Sequence, residues 1–457
     1  MNPDSIFRSA MAYLGWPAFP APLAANKLAL LFQIEQNQWR TPEQIATSQF
    51  DQLRRVVAFA SATVPNYRRA LGPRFQAGEL TPQNWHEIPV LGRKAVYDAA
   101  AELRSESIPR EHGRTFSQKT SGSTGMVVEV LGTDLTSLFW QVFCLRDHLW
   151  HRRNLREKLC AIRFQRDPAL KGTTRTEGRG WGPATDDVAI TGPSVTYDIL
   201  LDVAFLAERL AIERPGYVLG HPSMILGLAK YCLDHEIRLP GLREVRTLGE
   251  SLDESLRERC REAWGVSVVD MYSCQEAGYL ALQCPEHDHY HVQSENVLLE
   301  VVDDSGRPCN PGEIGRVLIT SLNNFATPLI RYELGDYAEV GEPCSCGRGL
   351  PVLKRILGRY RSLLTLPDGS RRWGLIGYPT SIAPIEEMQL VQTDLNKLQV
   401  RLVMPRALDD SETKALTAYI HGNCGYPFEL CFEYVDRIRS SVNGKVEQVI
   451  SLVQPGR

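Results

Sequence analysis

The chain has 457 residues, 43% hydrophobic and 23% charged, with a formal net charge of −3. That length calls for more than one hydrophobic core. The balanced charge lacks the electrostatic footprint of a nucleic-acid or anionic-membrane binder, and no apolar run reaches the ~18–20 residues of a membrane span. The N-terminal stretch has no basic start, and Pro17, Pro20 and Pro22 interrupt the place where a signal core would be continuous, so a cytoplasmic protein is expected. Eleven cysteines, an odd number scattered through a large chain, do not form a secreted disulfide framework. Cys144, Cys160 and Cys232 sit in apolar patterns and read as small buried hydrophobes.

In chain order, residues 49–64 carry apolar positions at helical spacing, and residues 137–155 read as a second amphipathic helix. Between them, "KTSGSTGMVVEV" (119–130) crowds hydroxyls around two glycines and runs into a strand-like stretch. "LREVRTLGE", "SLDESLRERCREAW" and "GVSVVDMY" form a strand–helix–strand unit typical of a parallel sheet. After residue 284 the chain changes to strands and turns, with hairpins expected around Asp304–Gly306 and Pro311–Gly312. From about 386 a β-α-β layout, "LQVRLVM", "DDSETKALTAYIHGN" and "FELCFEYVD", suits a small α+β domain. The expected fold is α/β, with a large N-terminal domain over residues 1–357 and a small C-terminal domain over 358–457.

Five short segments could carry chemistry. The glycine-rich turn can converge backbone N–H groups on an anion, with hydroxyls adding donors, but it is equally a polar turn; the G-x-x-x-x-G-K-[ST] phosphate loop is absent. "TLGESL" (247–252) places Gly249 and Glu250 at the end of a predicted strand, where α/β sheets hold ligands. "DMYSCQEAG" (270–278) sets Tyr272 and Glu276 four apart, a ring for a base and a carboxylate for Mg²⁺, against the plainer reading of an exposed tyrosine and a solvated glutamate. "PLIRYELGDYAEV" (328–340) puts Asp336 in a Gly-Asp pair able to accept two hydroxyl hydrogen bonds, or simply in a hairpin turn. "SVNGKVEQVI" (441–450) places Lys445 after Gly444, otherwise a surface lysine. Separately, "QCPEHDHYHV" holds Cys284, His287, His289 and His291, and "EPCSCGRG" adds Cys344 and Cys346. Thiolates with imidazole suit tetrahedral Zn²⁺, and Gly347 relieves the tight C-x-C turn.

These segments, together with "FDQLRRVVAFASATVPNYR", "IPVLGRKAV", "GHPSMILGLAKY", "GEIGRVLITSL" and "ILGR", resemble in order and spacing the adenylate-forming superfamily. Within it the chain is similar to the phenylacetate–CoA ligase-like and coenzyme F390 synthetase-like branch, from about residue 49 to the end. The resemblance implies that Thr120, Ser121, Gly122, Ser123, Thr124 and Gly125 wrap the ATP phosphates, Thr124 near the metal. It implies that Gly249, Glu250, Ser251 and Tyr272 line the adenine pocket, Glu276 ligates Mg²⁺, Asp336 holds the ribose hydroxyls and Arg359 assists beside the hinge. Lys445, on a mobile C-terminal domain, would bridge the acyl carboxylate and nucleotide oxygens. Some branch members carry a structural metal on a similar Cys–His–Cys-x-Cys arrangement. Cys284, His291, Cys344 and Cys346 are the ligand set expected here, with His287 as the alternative histidine. Trp140, Trp181 and His221 are candidates near an acid pocket.

The activity so implied is ATP-dependent activation of a carboxylic acid, an aromatic one in this branch, as acyl-AMP with release of pyrophosphate, followed by transfer to CoA as co-substrate. Two departures bear on it. Ser273, Cys274 and Gln275 replace the usual residues before the glutamate, and Arg361 and Ser362 stand where relatives keep acidic hinge residues, which bears on the thioester step. Three alternatives stay open: capture of the acyl-adenylate by an amine or a carrier protein, adenylylation of a hydroxyl as in coenzyme F390 synthetases, and a non-catalytic nucleotide-binding scaffold. The partners expected are the small acid and the acyl acceptor, with no nucleic acid and no membrane; monomer and homodimer both stand.

Overall fold

The structure is a computed structural model that describes residues 7–71, 80–119, 128–164, 174–252, 254–359, 363–373, 379, 382–438 and 448–453. Its helices start where local chemistry satisfies their first N–H groups. The helix Pro42–Thr63 opens on a capping box, with the Thr41 hydroxyl accepting from Gln44 N and the Gln44 side chain accepting from Thr41 N. Asp134–Trp150 opens the same way on Thr133 and Thr136. Asp410–Cys424 begins on Asp409 with Glu412 and ends at Gly425 in the left-handed region. The helix expected over 137–155 thus starts three residues earlier and stops at Trp150.

Twelve strands among the described residues form one sheet with two characters. One half is parallel, in the spatial order Ser267–Cys274, Glu244–Leu248, Tyr217–Gly220, Leu159–Arg163 and Ser194–Asp198, closed by the antiparallel edge Arg175–Gly178. The strand–helix–strand unit read from the sequence is here: Glu244–Leu248 runs parallel to Ser267–Cys274, with Glu254–Trp264 between them. The other half is antiparallel and continues through Gly278–Gln283, Tyr290–Val292, Val352–Arg359, Tyr332–Val340, Ile314–Ser321 and Val297–Val302. The boundary expected at 357 falls inside the strand Val352–Arg359, two residues before its end.

Each part of the chain has its own apolar core. The parallel half buries Val218, Val245 and Val268 against Leu206, Leu228 and Leu256 of the covering helices. The antiparallel half buries Leu280, Ile319 and Tyr332 against Leu53, Val56 and Ala60. Helices Pro22–Asn37 and Asp134–Trp150 close a third core through Leu31, Ile34, Val142 and Phe143. A four-stranded sheet, in the order Glu429–Tyr434, Lys397–Val403, Glu387–Asp394 and Val449–Ser451, packs the helix Asp410–Cys424 on a core drawn from residues 364–449. Its β-α-β element is parallel, as the tail's pattern predicts. Lys230 Nζ donates to Glu386 O at 2.9 Å, reaching from the large sheet's helices to the start of this smaller one.

Beneath the junction of the two sheet halves lies a buried ionic network. Asp147 accepts from Arg153 and Arg246, each at 2.7 Å, and Arg153 also meets Glu244 at 2.6 Å. Burial opposes ionisation of Asp147, but the two guanidiniums hold its carboxyl well below the usual range. The network ties the helix Asp134–Trp150 to the strand Glu244–Leu248, so both are fixed before any ligand arrives.

Candidate nucleotide and metal sites

Parallel strands deliver their C-terminal ends to one edge, where α/β sheets bind ligands. Here that edge receives His221 after Tyr217–Gly220, Gly249–Ser251 after Glu244–Leu248, and Tyr272 near the end of Ser267–Cys274. Gly249 has φ +84°, a turn a side chain would strain. Glu250 does not simply face solvent: it accepts from Ser223 N at 2.9 Å and Ser223 Oγ at 3.1 Å, capping the helix Pro222–Asp234, with His221 Nδ1 3.8 Å away. Gly358, with φ +90°, passes so close to Ser251 that a Cβ there would collide with its hydroxyl.

Tyr272 and Asp336, 64 residues apart in sequence, are joined directly: the phenol donates to Asp336 Oδ2 at 2.8 Å. The strand carrying Tyr272 is held from below by Asp270. Its carboxylate accepts from Thr247 Oγ1 at 2.7 Å and Tyr290 OH at 2.8 Å, and burial pushes its pKa up to about 6 against those bonds. Asp336 lies in register with Arg359 on the neighbouring strand; the Arg359 side chain falls outside the described residues. Glu276 occupies the turn between Ser267–Cys274 and Gly278–Gln283 and is buried. Arg93 NH1 lies 3.3 Å and the Tyr332 hydroxyl 3.4 Å from the same oxygen, Oε1. Both contacts fall on one oxygen, which leaves Oε2 as a hard donor of the kind Mg²⁺ takes.

Arg93 belongs to the segment "IPVLGRKAV", which carries no signal of this contact: its partner lies 183 residues away, and only the fold joins them. Thr120–Gly125 and Lys445 lie outside the described residues. Of the three candidates for an acid pocket, Trp140 lines a cavity of about 270 Å³ beside Glu276, together with Phe116, Gln118, Ser321 and Asn323. Trp181 packs edge-on against His148 and Tyr217 and donates its Nε1 to Glu157 O at 2.8 Å, a core role. His221 stands beside Glu250.

Away from this edge the sheet gathers the cysteines and histidines. Cys284 follows Gly278–Gln283; His291 lies on the next strand, paired with Leu282 and Val352; and Cys344 and Cys346 precede that third strand. One ligand atom each from Cys284, His289, His291 and Cys344 lie within 4.8 Å of one another. Cys284 and Cys344 Sγ are 3.9 Å apart, and Cys346 Sγ is 3.4 Å from His291 Nε2. His287, the alternative histidine, instead meets Ser345 Oγ at 3.0 Å. His289, which the sequence left without a role, is two residues before His291. In extended chain two such residues share a face, so the spacing held the signal. Gly347 turns the loop with φ +84°, as expected after the C-x-C pair.

The electrostatics of this cluster fit a metal. Burial pushes Cys284 up and Cys344 up to about 12, so without a cation these thiols stay protonated. Cys346 goes the other way: burial is outweighed by donors from the backbone and side chain of Arg348. Burial, then His289 and Arg348, lowers His291 to about 3, leaving its imidazole neutral as a ligand must be. His289 Nε2 is buried without a hydrogen-bond partner.

Comparison with known proteins gives the architecture a family. The family model described as AMP-binding enzyme matches residues 191–327, and the CapK C-terminal domain matches residues 379–452. A phenylacetate–coenzyme A ligase of Thermus thermophilus is 26% identical over 396 residues, 81% of each chain. The chain is phenylacetate–CoA ligase-like, a member of the adenylate-forming superfamily. Protein CapK of Staphylococcus aureus is 25% identical over 266 residues, 55% of this chain and 56% of that one. A 2-hydroxyisobutyryl-CoA ligase in the postadenylation state superposes with a TM-score of 0.70 at 17% identity, covering 91% of both chains. An anthranilate–CoA ligase with anthranoyl-AMP gives 0.53 over 73% of this chain and 66% of that one, at 17% identity. These two likenesses establish the fold. With the AMP-binding match and the ligase relative, this adenylate-forming protein is an acid–CoA ligase-like enzyme. No helix among its described residues is long and apolar enough to cross a membrane.

Proposed function

We propose that this adenylate-forming enzyme uses MgATP to activate a carboxylic acid as acyl-AMP, releases pyrophosphate, and passes the acyl group to CoA. The observation that carries the reading is the convergence at one sheet edge of the Tyr272–Asp336 pair, the Gly249–Ser251 turn and buried Glu276. A carboxylate attacking an α-phosphate joins two anions while a more highly charged group leaves, so the site must supply fixed positive potential. Glu276 would hold Mg²⁺, which supplies that potential at the phosphate oxygens. Tyr272 offers its ring to adenine, Asp336 its carboxylate to a ribose hydroxyl, and Arg93 a guanidinium next to the metal carboxylate. Thr120–Gly125 would cradle the phosphates. Lys445, on a mobile unit of residues 358–457, would neutralise the reacting oxygens.

Zn²⁺ belongs to the same proposal. Cys284, Cys344 and Cys346 with His291 or His289 offer four soft or borderline donors, enough to close a structural site with no open position. Thiolate ligands require a reducing setting, which agrees with a cytoplasmic location. The resemblance points to an aromatic acid, although Gln118, Ser321 and Asn323 make the cavity beside Glu276 partly polar.

The test is acid-dependent ATP–pyrophosphate exchange over a panel of acids, repeated with Lys445→Ala. Exchange that is absent for every acid rejects activation, and exchange unchanged in Lys445→Ala removes that lysine from its role. Product mass with and without CoA separates a thioester from an amide, a loaded carrier or an adenylylated alcohol.

A further inference from the structure

We propose that the cavity beside Glu276 receives the acyl part of the substrate and selects an acid carrying its own hydroxyl over the same acid without it. This rests on the acid-activating reading above and narrows its substrate class. The cavity, about 270 Å³, has room for roughly nine water-sized groups at ~30 Å³ each. Phe116 and Trp140 supply apolar walls, and Ser321 and Asn323 supply the polar end.

The polar end has a fixed hydrogen-bonding demand. Asn296 donates its Nδ2 to Ala277 O at 2.8 Å and Tyr279 O at 2.6 Å. That orientation leaves Asn296 Oδ1 as an acceptor, and Asn323 Nδ2 fills it at 2.7 Å. Asn323 must therefore present its Oδ1, and that oxygen can only accept. No hydrogen bond from a described residue reaches it. In the same cavity wall, Ser321 is 1% exposed and its Oγ has no hydrogen-bond partner. Native structures rarely leave a buried hydroxyl unmatched without a reason.

The surrounding wall cannot turn away to hide this demand. Asn324 is held by Ala326 N, Thr327 N and Leu131 O, and the Asn296 bonds run to the backbone on either side of Gly278. A ligand hydroxyl satisfies both unmatched groups at once, donating to Asn323 Oδ1 and accepting from Ser321 Oγ. A ligand with only C–H groups there takes water from Asn323 Oδ1, leaves Ser321 Oγ unmatched and replaces nothing. Sites built to bond a substrate hydroxyl reject the analogue lacking it strongly, up to roughly 10⁴-fold, whereas a missing methylene gives far less discrimination.

The experiment is ATP–pyrophosphate exchange by the full-length protein with matched pairs: lactate and propionate, 2-hydroxyisobutyrate and isobutyrate, 3-hydroxybenzoate and benzoate, 4-hydroxyphenylacetate and phenylacetate. The expected result is a kcat/KM at least tenfold higher for the hydroxylated member of the best-used pair. Ser321→Ala should cut that ratio at least fivefold with the KM for ATP within twofold, and Ser321→Thr should restore it. Equal or better use of the unhydroxylated member in every pair overturns the inference while leaving acid activation standing. So does a ratio unchanged in folded Ser321→Ala; if that variant fails to fold, the wild-type ratios decide. Exchange with none of the acids overturns the acid-activating reading and this inference with it.

Discussion

Tyr272→Phe separates two things the tyrosine does. The ring stays, and with it the stacking surface, while the hydrogen bond to Asp336 Oδ2 at 2.8 Å is lost. A hydrogen bond to a charged group contributes about 1.5–3 kcal/mol. Asp336 is 8% exposed, so water can partly replace the phenol and the lower end of that range applies. At ~1.4 kcal/mol per tenfold, the KM for ATP should rise about tenfold. Because the contact orients a binding carboxylate and touches no reacting atom, kcat should change less than KM. Exchange kinetics at saturating acid measure both. Asp336→Asn and the double variant complete a cycle, and a coupling of about 1 kcal/mol or more is expected for groups in direct contact. A KM within twofold of wild type for Tyr272→Phe, or additive effects in the cycle, would show that the pair does not bind nucleotide.

Glu276→Gln keeps the shape of the carboxylate but removes its charge, and the exchange rate at saturating MgATP should fall roughly a hundredfold or more; full activity would exclude Glu276 as a metal ligand. Elemental analysis of purified protein should find about one zinc per chain, and Cys344→Ser with Cys346→Ser should lose it and melt several degrees lower; zinc that survives both changes refutes the assigned ligands. Burial, then Arg153 beside it, lowers His151 to about 4. The unfolded histidine binds its proton near pH 6.5 and the folded one near 4, so the stabilisation is complete above 6.5 and is lost as pH falls through that window. His151→Gln should remove roughly 3 kcal/mol of pH-dependent stability between 6.5 and 4, read by denaturant titration at both pH values, and an unchanged slope would refute the buried neutral state.

The regular elements were legible because they depend on neighbours in sequence. The apolar spacing of 49–64 acts within a turn or two, and the alternation of 242–272 needs only the rule that parallel strands are joined by helices. The caps Thr133 and Asp409 are equally local signals, and reading Thr133 as one would have moved the helix expected at 137 back to its start at Asp134. Contacts across the sheet were not legible in the same way. That Glu250 caps a helix starting 28 residues earlier, or that Arg93 meets Glu276, depends on strand order. Motif resemblance located Tyr272 and Asp336 separately, but the bond between them needed the antiparallel half to fold back beside the parallel half. The histidines of the Cys–His cluster are intermediate: the sequence pointed to His291 with His287 as the alternative, and the fold sets His289 beside His291 near Cys284 and Cys344.

The same antiparallel strands link the two sites. Val352–Arg359 begins six residues after Cys346 and ends opposite Asp336. Its eight residues span about 26 Å at ~3.3 Å each, too far for the metal cluster to act on phosphate chemistry through the field of its charges in salt water. Mechanical linkage is the remaining route. A cation that gathers Cys284, His291 and Cys344 would pin the end of Gly278–Gln283, the short strand Tyr290–Val292 and the approach to Val352–Arg359, and the far end of the last sets where Asp336 and Gly358 stand against Tyr272 and Ser251. Fixing one end restrains the other only as far as the intervening ladder is rigid. That ladder carries register shifts between Tyr337 and Ala338 and between Glu339 and Val340, places where strain is absorbed. The bulges therefore decouple the cluster from the nucleotide edge, so a metal there contributes mainly to folding stability while the adenylation geometry is held by the Asp270 and Asp147 networks on the parallel side.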